Sequence, residues 1–146
     1  MFVVDTNIFV YAANTSAPEQ AICRRCVEEW RHGDFPWYIT WNIIYEFLRV
    51  VTHPSVFLNP WNIEDAWSYI EALCASPSLG ILVHSNRHSV VAVNTLSETS
   101  FLRGNLIHDL HTAVLMREHG IRQIYTRDND FHRFSFVEVI DPLANV

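Results

Sequence analysis

The amino-acid sequence predicts one α/β domain over residues 1–146, built on a mostly parallel β-sheet with helices on both faces. Short β-like runs alternate with longer segments of helical periodicity along the chain, and this alternation is typical of parallel sheets joined by crossover helices. Hydrophobic residues make up 49% of the chain and charged residues 18%, a balance that excludes intrinsic disorder. A length of 146 residues fits a single domain with its own core.

The chain begins with a predicted strand, a turn and a helix. Phe2–Val4 is a short apolar run that we interpret as a buried strand, and we interpret the segment after it, up to Ala13, as a turn. Residues 18–31 place apolar side chains at helical spacing, which predicts a helix that is broken at Gly33. Residues 37–39 form the second β-like run.

Two predicted helices follow this second strand. Thr40 belongs to the residue types that cap helix N-termini, and we predict a helix from there to Thr52. The helix stops before Pro54, because a residue that precedes proline is disfavoured in the α conformation. Pro60 then begins a helix over 61–75, since proline is well tolerated in a first helical turn.

The second half of the chain continues the alternation of strands and helices. The last predicted helix ends at Gly120, a residue type that often follows a helix C-terminus. In chain order we predict a strand over 80–84, a helix over 87–98, a helix over 105–119, and strands over 122–126 and 136–140.

Charge and cysteine content narrow the class of function. The net charge of −6 argues against a protein that binds nucleic acid through bulk positive charge, although acids that hold metal ions would reverse the local field.

We expect a cytoplasmic protein without a membrane partner, because no apolar run could span a bilayer and no signal-peptide pattern is present. Cys23 and Cys26 have C-x-x-C spacing but lie inside a predicted helix without a second pair, so we interpret these two cysteines as packing residues.

Three acidic residues directly follow predicted strands. Asp5 comes after the first strand, and Asp128 and Asp130 come after the strand over 122–126. In an open α/β sheet, ligands bind beyond the carboxyl ends of the strands, which is where these side chains would lie. Asp5 could equally cap a helix, and a turn rich in Asp and Asn is common without any function.

Two further acids interrupt apolar helical faces. Glu46 lies in a helix that is apolar nearly all round, so partial burial is expected, and the alternative to a functional role is an ion pair with Arg49. Asp109 shares a helical face with apolar residues, and His108 and His111 flank it either as ligands or as structural partners.

If these five acids converge, they require a cation. Two carboxylates about 4 Å apart repel by about 4 kcal/mol at an effective dielectric of about 20. Either the pKa values rise or metal ions bind, and all-oxygen ligands select Mg²⁺ or Mn²⁺. Such sites suit phosphodiester hydrolysis, because the metal activates a water and stabilises charge on the reacting oxygens.

The ordered set of motifs resembles the PIN-domain nucleases and, within them, the VapC-type toxins. The resemblance rests on Val-Val-Asp5-Thr-Asn near the start, Glu46 in the second main helix, His-Asp109-Leu-His-Thr-Ala opening a later helix, Thr126-x-Asp128-x-Asp130-Phe131 after a strand, and Val139-Ile-Asp-Pro142-Leu at the end. It covers nearly the whole chain.

This resemblance implies a three-layer α/β/α sandwich that cleaves RNA with Mg²⁺ or Mn²⁺. By position it assigns Asp5, Glu46, Asp109 and Asp128 to an acidic quartet of catalytic metal ligands and Asp130 to a common fifth acid. It assigns Thr6, Asn7 and Thr126 to supporting polar positions. It also implies a small VapB-like antitoxin that blocks the acidic pocket, often with an Arg, and a homodimer.

Three alternatives remain open at this stage. His108-Asp109 is the signature of the HD metal phosphohydrolases, whose fold is all-helical, although the predicted strands and Asp5 argue against it. A PIN-like binding module without catalysis would use the acids only structurally. A PIN nuclease of RNA processing would act without any antitoxin. Whether His108, His111 or Arg127 contacts substrate is left undecided by the sequence.

Overall fold

A computed structural model describes residues 1–144 and contains one five-stranded, entirely parallel sheet. The strand order is β3-β2-β1-β4-β5, which places the first strand at the centre. The strands are β1 (Phe2–Val4), β2 (Trp37–Thr40), β3 (Leu79–Leu82), β4 (Gln123–Tyr125) and β5 (Glu138–Ile140). The predicted α/β class with a parallel sheet is confirmed, while the last two residues of the predicted domain lie outside the described range.

Six α-helices and one 3₁₀ helix connect the described strands. They are α1 (Thr6–Ala13), α2 (Gln20–His32), α3 (Trp41–Val51), α4 (Ile63–Cys74), α5 (His88–Glu98), α6 (Leu106–Glu118) and the 3₁₀ helix Asn129–Arg133. Crossovers between parallel strands are right-handed as a rule, and the strand order reverses after β3, so we infer that α1 to α4 lie on one face of the sheet and α5 and α6 on the other. Within residues 1–144, no helix combines the length and apolar character that a membrane crossing requires.

The core fills both sides of the central strands. Val3, Trp37 and Ile124, from three adjacent strands, are fully buried. Phe9 packs near Trp37 with ring centroids 6.3 Å apart, which seats α1 on the sheet. Cys23 is buried in the same core, where desolvation raises the pKa of its thiol to about 11, so this cysteine has the predicted packing role.

The segment after β1 differs from the prediction. Residues expected to form a turn make the eight-residue helix α1, with Ile8, Phe9 and Ala12 buried on one face. A short apolar run has no periodicity that separates a buried helix from a strand, which is why the sequence did not reveal it. The predicted turn at Asp128–Asp130 likewise continues into the 3₁₀ helix, and β5 begins at Glu138 rather than at 136.

The sheet topology creates one crevice. Strand order runs outward from β1 through β2 to β3 on one side and from β4 to β5 on the other, so the connections diverge between β1 and β4. Ligands of open α/β sheets bind at such a switch point, beyond the carboxyl ends of the strands. Asp5 follows β1 and Thr126 follows β4, and the Asp5 N–H donates to the Tyr125 carbonyl at 3.0 Å.

Candidate acidic metal site at the sheet switch point

Asp5 lies at the floor of the crevice as the N-cap of α1. Its Oδ1 accepts a hydrogen bond from the Thr6 N–H at 2.8 Å, and its Oδ2 accepts from Asn7 Nδ2 at 2.8 Å and from Thr126 Oγ1 at 2.7 Å. Its residue is only 8% exposed. Burial raises the pKa of Asp5 to about 6 despite these hydrogen bonds, with the charges of Glu46 and Asp128 adding to the rise. The helix-cap role and the place in the acidic group therefore belong to the same side chain.

Thr126 joins the two central strand ends. Its hydroxyl donates to Asp5 and accepts hydrogen bonds from Asn7 Nδ2 and from the Asp128 N–H, each at 2.9 Å. Asn7 Oδ1 accepts from the Arg127 N–H at 3.3 Å. These contacts fix the backbone that leads from β4 to Asp128, so the three supporting positions of the prediction lie together beside the acids.

Glu46 approaches the crevice from α3. Its Oε2 accepts a hydrogen bond from Thr6 Oγ1 at 3.1 Å, and Arg49 Nη2 lies 3.8 Å from its Oε1. The side chain is 42% exposed, in agreement with the expected partial burial. Glu46 therefore both pairs with Arg49 and lies in the acidic group, so the two interpretations do not exclude each other.

Asp109, Asp128 and Asp130 form the tightest part of the acidic group. One carboxylate oxygen from each lies within 4.8 Å of the others. Asp109 is in the first turn of α6, while Asp128 caps the 3₁₀ helix by accepting from the Asp130 N–H at 2.8 Å. The pKa of Asp109 is raised to about 7 by burial and then by the charges of its four acidic neighbours. Raised pKa values of this kind mark carboxylates that need a cation to ionise together.

An open cleft of about 670 Å³ lies over these carboxylates. Four of the five predicted acids line it, and the buried Asp5 does not. The other lining residues are Asn42, Tyr45, Arg49, Asn105 and His108. Sequence reasoning missed Asn42, Tyr45 and Asn105, yet Asn42, Glu46 and Arg49 recur at helical spacing on α3, a polar stripe that could have been found.

The three residues left undecided by the sequence occupy different places. His108 lines the cleft, with Nδ1 3.5 Å from Asn42 Nδ2. His111 lies beside His88, with ring centroids 5.8 Å apart, and is not a lining residue. Arg127 is not a lining residue of the cleft. Its Nη1 donates to Glu19 at 2.7 Å, and its Nε lies 3.5 Å from Asp141.

A model of the PIN domain matches residues 2–137 of the chain, which covers all five acids. The chain belongs to the PIN-domain family. This PIN domain is 31% identical to ribonuclease VapC48 of Mycobacterium tuberculosis over 140 residues, or 96% of each chain. It is 32% identical to ribonuclease VapC43 of the same organism over 143 residues, or 98% of this chain and 96% of that relative. Within the PIN family it is therefore of the VapC type.

Solved structures share the fold of this VapC-type PIN domain. The toxin VapC20 of M. tuberculosis, described as cleaving the sarcin-ricin loop, aligns with a TM-score of 0.68 over 97% of this chain and 100% of its own, at 18% identity. VapBC2 of Rickettsia felis, solved with a promoter DNA fragment, aligns with the same TM-score over 95% of this chain and 96% of its own, also at 18% identity. The parallel sheet that they share excludes the all-helical HD fold.

The family implies a divalent metal, and the residues present fit one. Asp109, Asp128 and Asp130 offer carboxylate oxygens within 4.8 Å of one another, the donor type of a hard cation. The raised pKa values of Asp5 and Asp109 also favour a cation site, because a bound cation would lower these pKa values toward the ordinary range of an aspartate. The acidic group is thus a suitable site for such an ion.

Proposed function

We propose that this VapC-type PIN domain, residues 1–146, is an endoribonuclease dependent on Mg²⁺ or Mn²⁺ and the toxin of a type II toxin–antitoxin pair in the cytoplasm. The observation that supports this most directly is the gathering of five acids from four distant segments at the sheet switch point. The names of the relatives, which are ribonucleases and toxins, support the same reaction.

The proposed metal ligands differ in how they would act. Asp109, Asp128 and Asp130 would hold the ion directly, since their oxygens are already close. Asp5 would contribute charge from below, with its oxygens oriented by Asn7 and Thr126. Glu46, oriented by Thr6, would complete the group from α3. The ion, when bound, would supply polarisation of a water and neutralisation of the phosphodiester oxygens.

The remaining cleft residues are assigned to the substrate. Arg49 and His108 are donors at the edge of the acidic group, where they would bind RNA phosphates. Tyr45 is exposed on the same wall and offers a ring on which a base can stack. Glu46, which lies outside the closest group of three oxygens, would also accept a proton from the attacking water. Together these residues would hold a single RNA strand across the metal site.

Cleavage of structured RNA with and without divalent metal tests this proposal. We expect cleavage in Mg²⁺ or Mn²⁺, none in EDTA, and loss of activity by at least about 100-fold in Asp109→Asn, by analogy with the removal of other electrostatic groups from active sites. Asp34→Asn, which changes an exposed acid in the loop before β2, is the matched control. Full activity in EDTA or in Asp109→Asn would refute the assignment.

We also propose two protein partners, a VapB-like antitoxin and a second copy of this chain. Related VapBC and FitAB assemblies support an antitoxin partner. An antitoxin arginine would be attracted by the acidic cleft. The exposed apolar side chains Val90, Val93 and Leu96 on α5 offer a surface for association. Light scattering of the purified chain should give the mass of a dimer. The mass of a monomer at all concentrations would contradict the proposed dimer but not the proposed antitoxin.

The alternatives of RNA processing without an antitoxin and of a non-catalytic module predict other results. A nuclease of RNA processing would have no small open reading frame beside its gene, and its expression would not arrest growth. A binding module would keep its function in Asp5→Asn and Asp109→Asn. The intact set of acids around one crevice favours a nuclease over a binding module. The VapC names of the relatives favour a toxin over a nuclease of RNA processing.

A further inference from the structure

A second group of metal-ligating side chains lies away from the acidic cleft, where the loop before α5 meets α6. The imidazole rings of His84 and His111 both lie near that of His88, with centroids 6.0 and 5.8 Å from it. His84 and His111 are exposed and His88 is partly exposed. Three neighbouring imidazoles differ chemically from the all-carboxylate group of the cleft, because imidazole prefers transition metals.

A buried carboxylate anchors this histidine cluster (His84, His88 and His111). Glu118, in the last turn of α6, has a side chain with 0% exposure. Its Oε1 accepts hydrogen bonds from the N–H and the hydroxyl of Ser85, at 3.0 and 2.6 Å, and its Oε2 is bonded to His88 Nδ1. His119 Nε2 lies 2.8 Å from the Val83 carbonyl. The loop before α5 is thus fixed to the end of α6 at several points.

Glu118 also determines which nitrogen of His88 is free. A carboxylate accepts a hydrogen bond from the Nδ1–H group, so a neutral His88 presents the lone pair of Nε2. A histidine held in this way by a carboxylate is the usual arrangement of a metal ligand and its supporting residue.

We propose that His84, His88 and His111 bind a transition-metal ion such as Zn²⁺, with Glu118 as the carboxylate that positions His88. Two imidazoles on one tetrahedral zinc ion, with Zn–N of about 2.0–2.1 Å, have ring centroids about 5 Å apart. Within residues 1–144 only the acidic group brings three ligand atoms within 4.8 Å of one another. Binding therefore requires the exposed rings of His84 and His111 to reorient around His88, which is held by Glu118.

This site is separate from the acidic cleft and independent of the proposed nuclease function. His111 and Asp109 are two residues apart on α6, which points their side chains to nearly opposite sides of the helix. Metal at the histidine cluster would join the loop before α5 to α6, and its binding energy would stabilise the fold through linkage. Its role is therefore structural, outside the substrate cleft.

Titration of the full chain with Zn²⁺ and Co²⁺ in excess Mg²⁺ tests this site. The excess Mg²⁺ competes for the oxygen ligands of the cleft. Calorimetry gives the number of bound ions, and the visible absorption of tetrahedral Co²⁺ reports binding to the histidine cluster. We expect one ion per chain, bound about ten-fold or more weakly in His84→Gln, in His111→Gln and in Glu118→Gln, the range typical of lost ligands and supporting residues. Both histidines are exposed, so their variants are expected to fold.

Two controls make the outcome decisive. His53→Gln alters an exposed histidine at the end of α3 and should bind Zn²⁺ as the unaltered chain does. Asp109→Asn should lose RNA cleavage but keep the tetrahedral Co²⁺ spectrum, which separates failure of the nuclease proposal from failure of this one. Absence of a tetrahedral Co²⁺ spectrum in the unaltered chain, or affinity unchanged in both His84→Gln and His111→Gln, would overturn the proposal.

Discussion

The Asp5 carboxylate accepts hydrogen bonds from Thr6, Asn7 and Thr126 and still has a pKa raised to about 6. Three donors would ordinarily favour the ionised form, so the cost of burial must outweigh them. At Asp109 the rise to about 7 combines burial with four negative neighbours. At the scale of single residues, the site is therefore built to bind positive charge, either as protons or as metal.

Replacement of Asp109 by Asn should raise the stability of the metal-free protein above pH 7. The folded-state pKa of about 7 exceeds the ordinary value of 3.8, so the stability associated with the protonated form is present at low pH and is lost as pH rises through 7. Asparagine removes this loss because it stays neutral. Urea unfolding in EDTA at pH 5 and pH 8 measures the effect. If the free energy of unfolding fell by the same amount between these pH values in the unaltered chain and in Asp109→Asn, the prediction would be wrong.

Thr126→Val should weaken the site without adding or removing charge. The fully buried hydroxyl donates to Asp5, and a hydrogen bond to a charged group contributes about 1.5–3 kcal/mol to stability. Loss of positioning at an active site can cost about 100-fold in rate. We expect both effects, measured by urea unfolding and by RNA cleavage in saturating Mg²⁺.

Thr95→Val is the matched control for that substitution. Thr95 is equally buried but its hydroxyl donates to the Val91 carbonyl within α5. Its replacement should leave cleavage close to that of the unaltered chain. If Thr126→Val also kept full activity, the assignment of Thr126 as a positioning residue would be wrong.

At the scale of elements, the helices with a clear period were predicted and α1 was not. The helices α2 to α6 lie within a few residues of their predicted bounds because their apolar residues recur at helical spacing. α1 is short, and Ile8, Phe9 and Val10 favour strands as much as helices when propensity alone is considered. Its capping by Asp5 was one of the alternatives, and only tertiary packing decides between them.

Phe9→Ala tests how much α1 depends on that packing. The Phe9 side chain is 1% exposed beside Trp37, and truncation of a buried phenylalanine costs about 3–5 kcal/mol. Phe35→Ala, at a residue 79% exposed, should change stability by no more than about 0.5 kcal/mol. Urea midpoints give both values. Similar losses in the two variants would show that α1 is not held by the core.

At the scale of the whole molecule, the sequence gives the order of the acids but no distance between them. Parallel pairing of β1 with β4 brings Asp5 beside Asp128, and α6 carries Asp109 to the same edge. The meeting of Asp5 and Asp128 could be expected from the sequence, because each follows a predicted strand of the same parallel sheet. The histidine cluster could not, since its members come from a loop and a helix whose relative placement has no signal in the sequence.

Divalent metal should stabilise the whole domain, and more strongly at higher pH. Only the folded chain gathers the acids, so free Mg²⁺ at about 100 times its Kd adds about 2.7 kcal/mol. This corresponds to a rise of about 5–10 °C in Tm for a domain of this size. Protons compete with the metal at Asp5 and Asp109, whose pKa values are about 6 and 7.

Thermal melts at pH 5.5 and pH 8, with Mg²⁺ or with EDTA, measure this coupling. The difference in Tm between Mg²⁺ and EDTA should be larger at pH 8, and Asp109→Asn should reduce it. Identical melting curves with and without metal at both pH values would count against the acidic group as a metal site.

The central position of β1 has a consequence for biosynthesis. Asp5 leaves the ribosome early, but its partner Thr126 follows 121 residues later, and β4 must insert beside β1 before the two meet. A nascent chain in which β4 has not yet been synthesised therefore lacks one side of the acidic crevice. Under the proposed function, no single chain could cleave RNA before its own β4 has been synthesised and paired with β1.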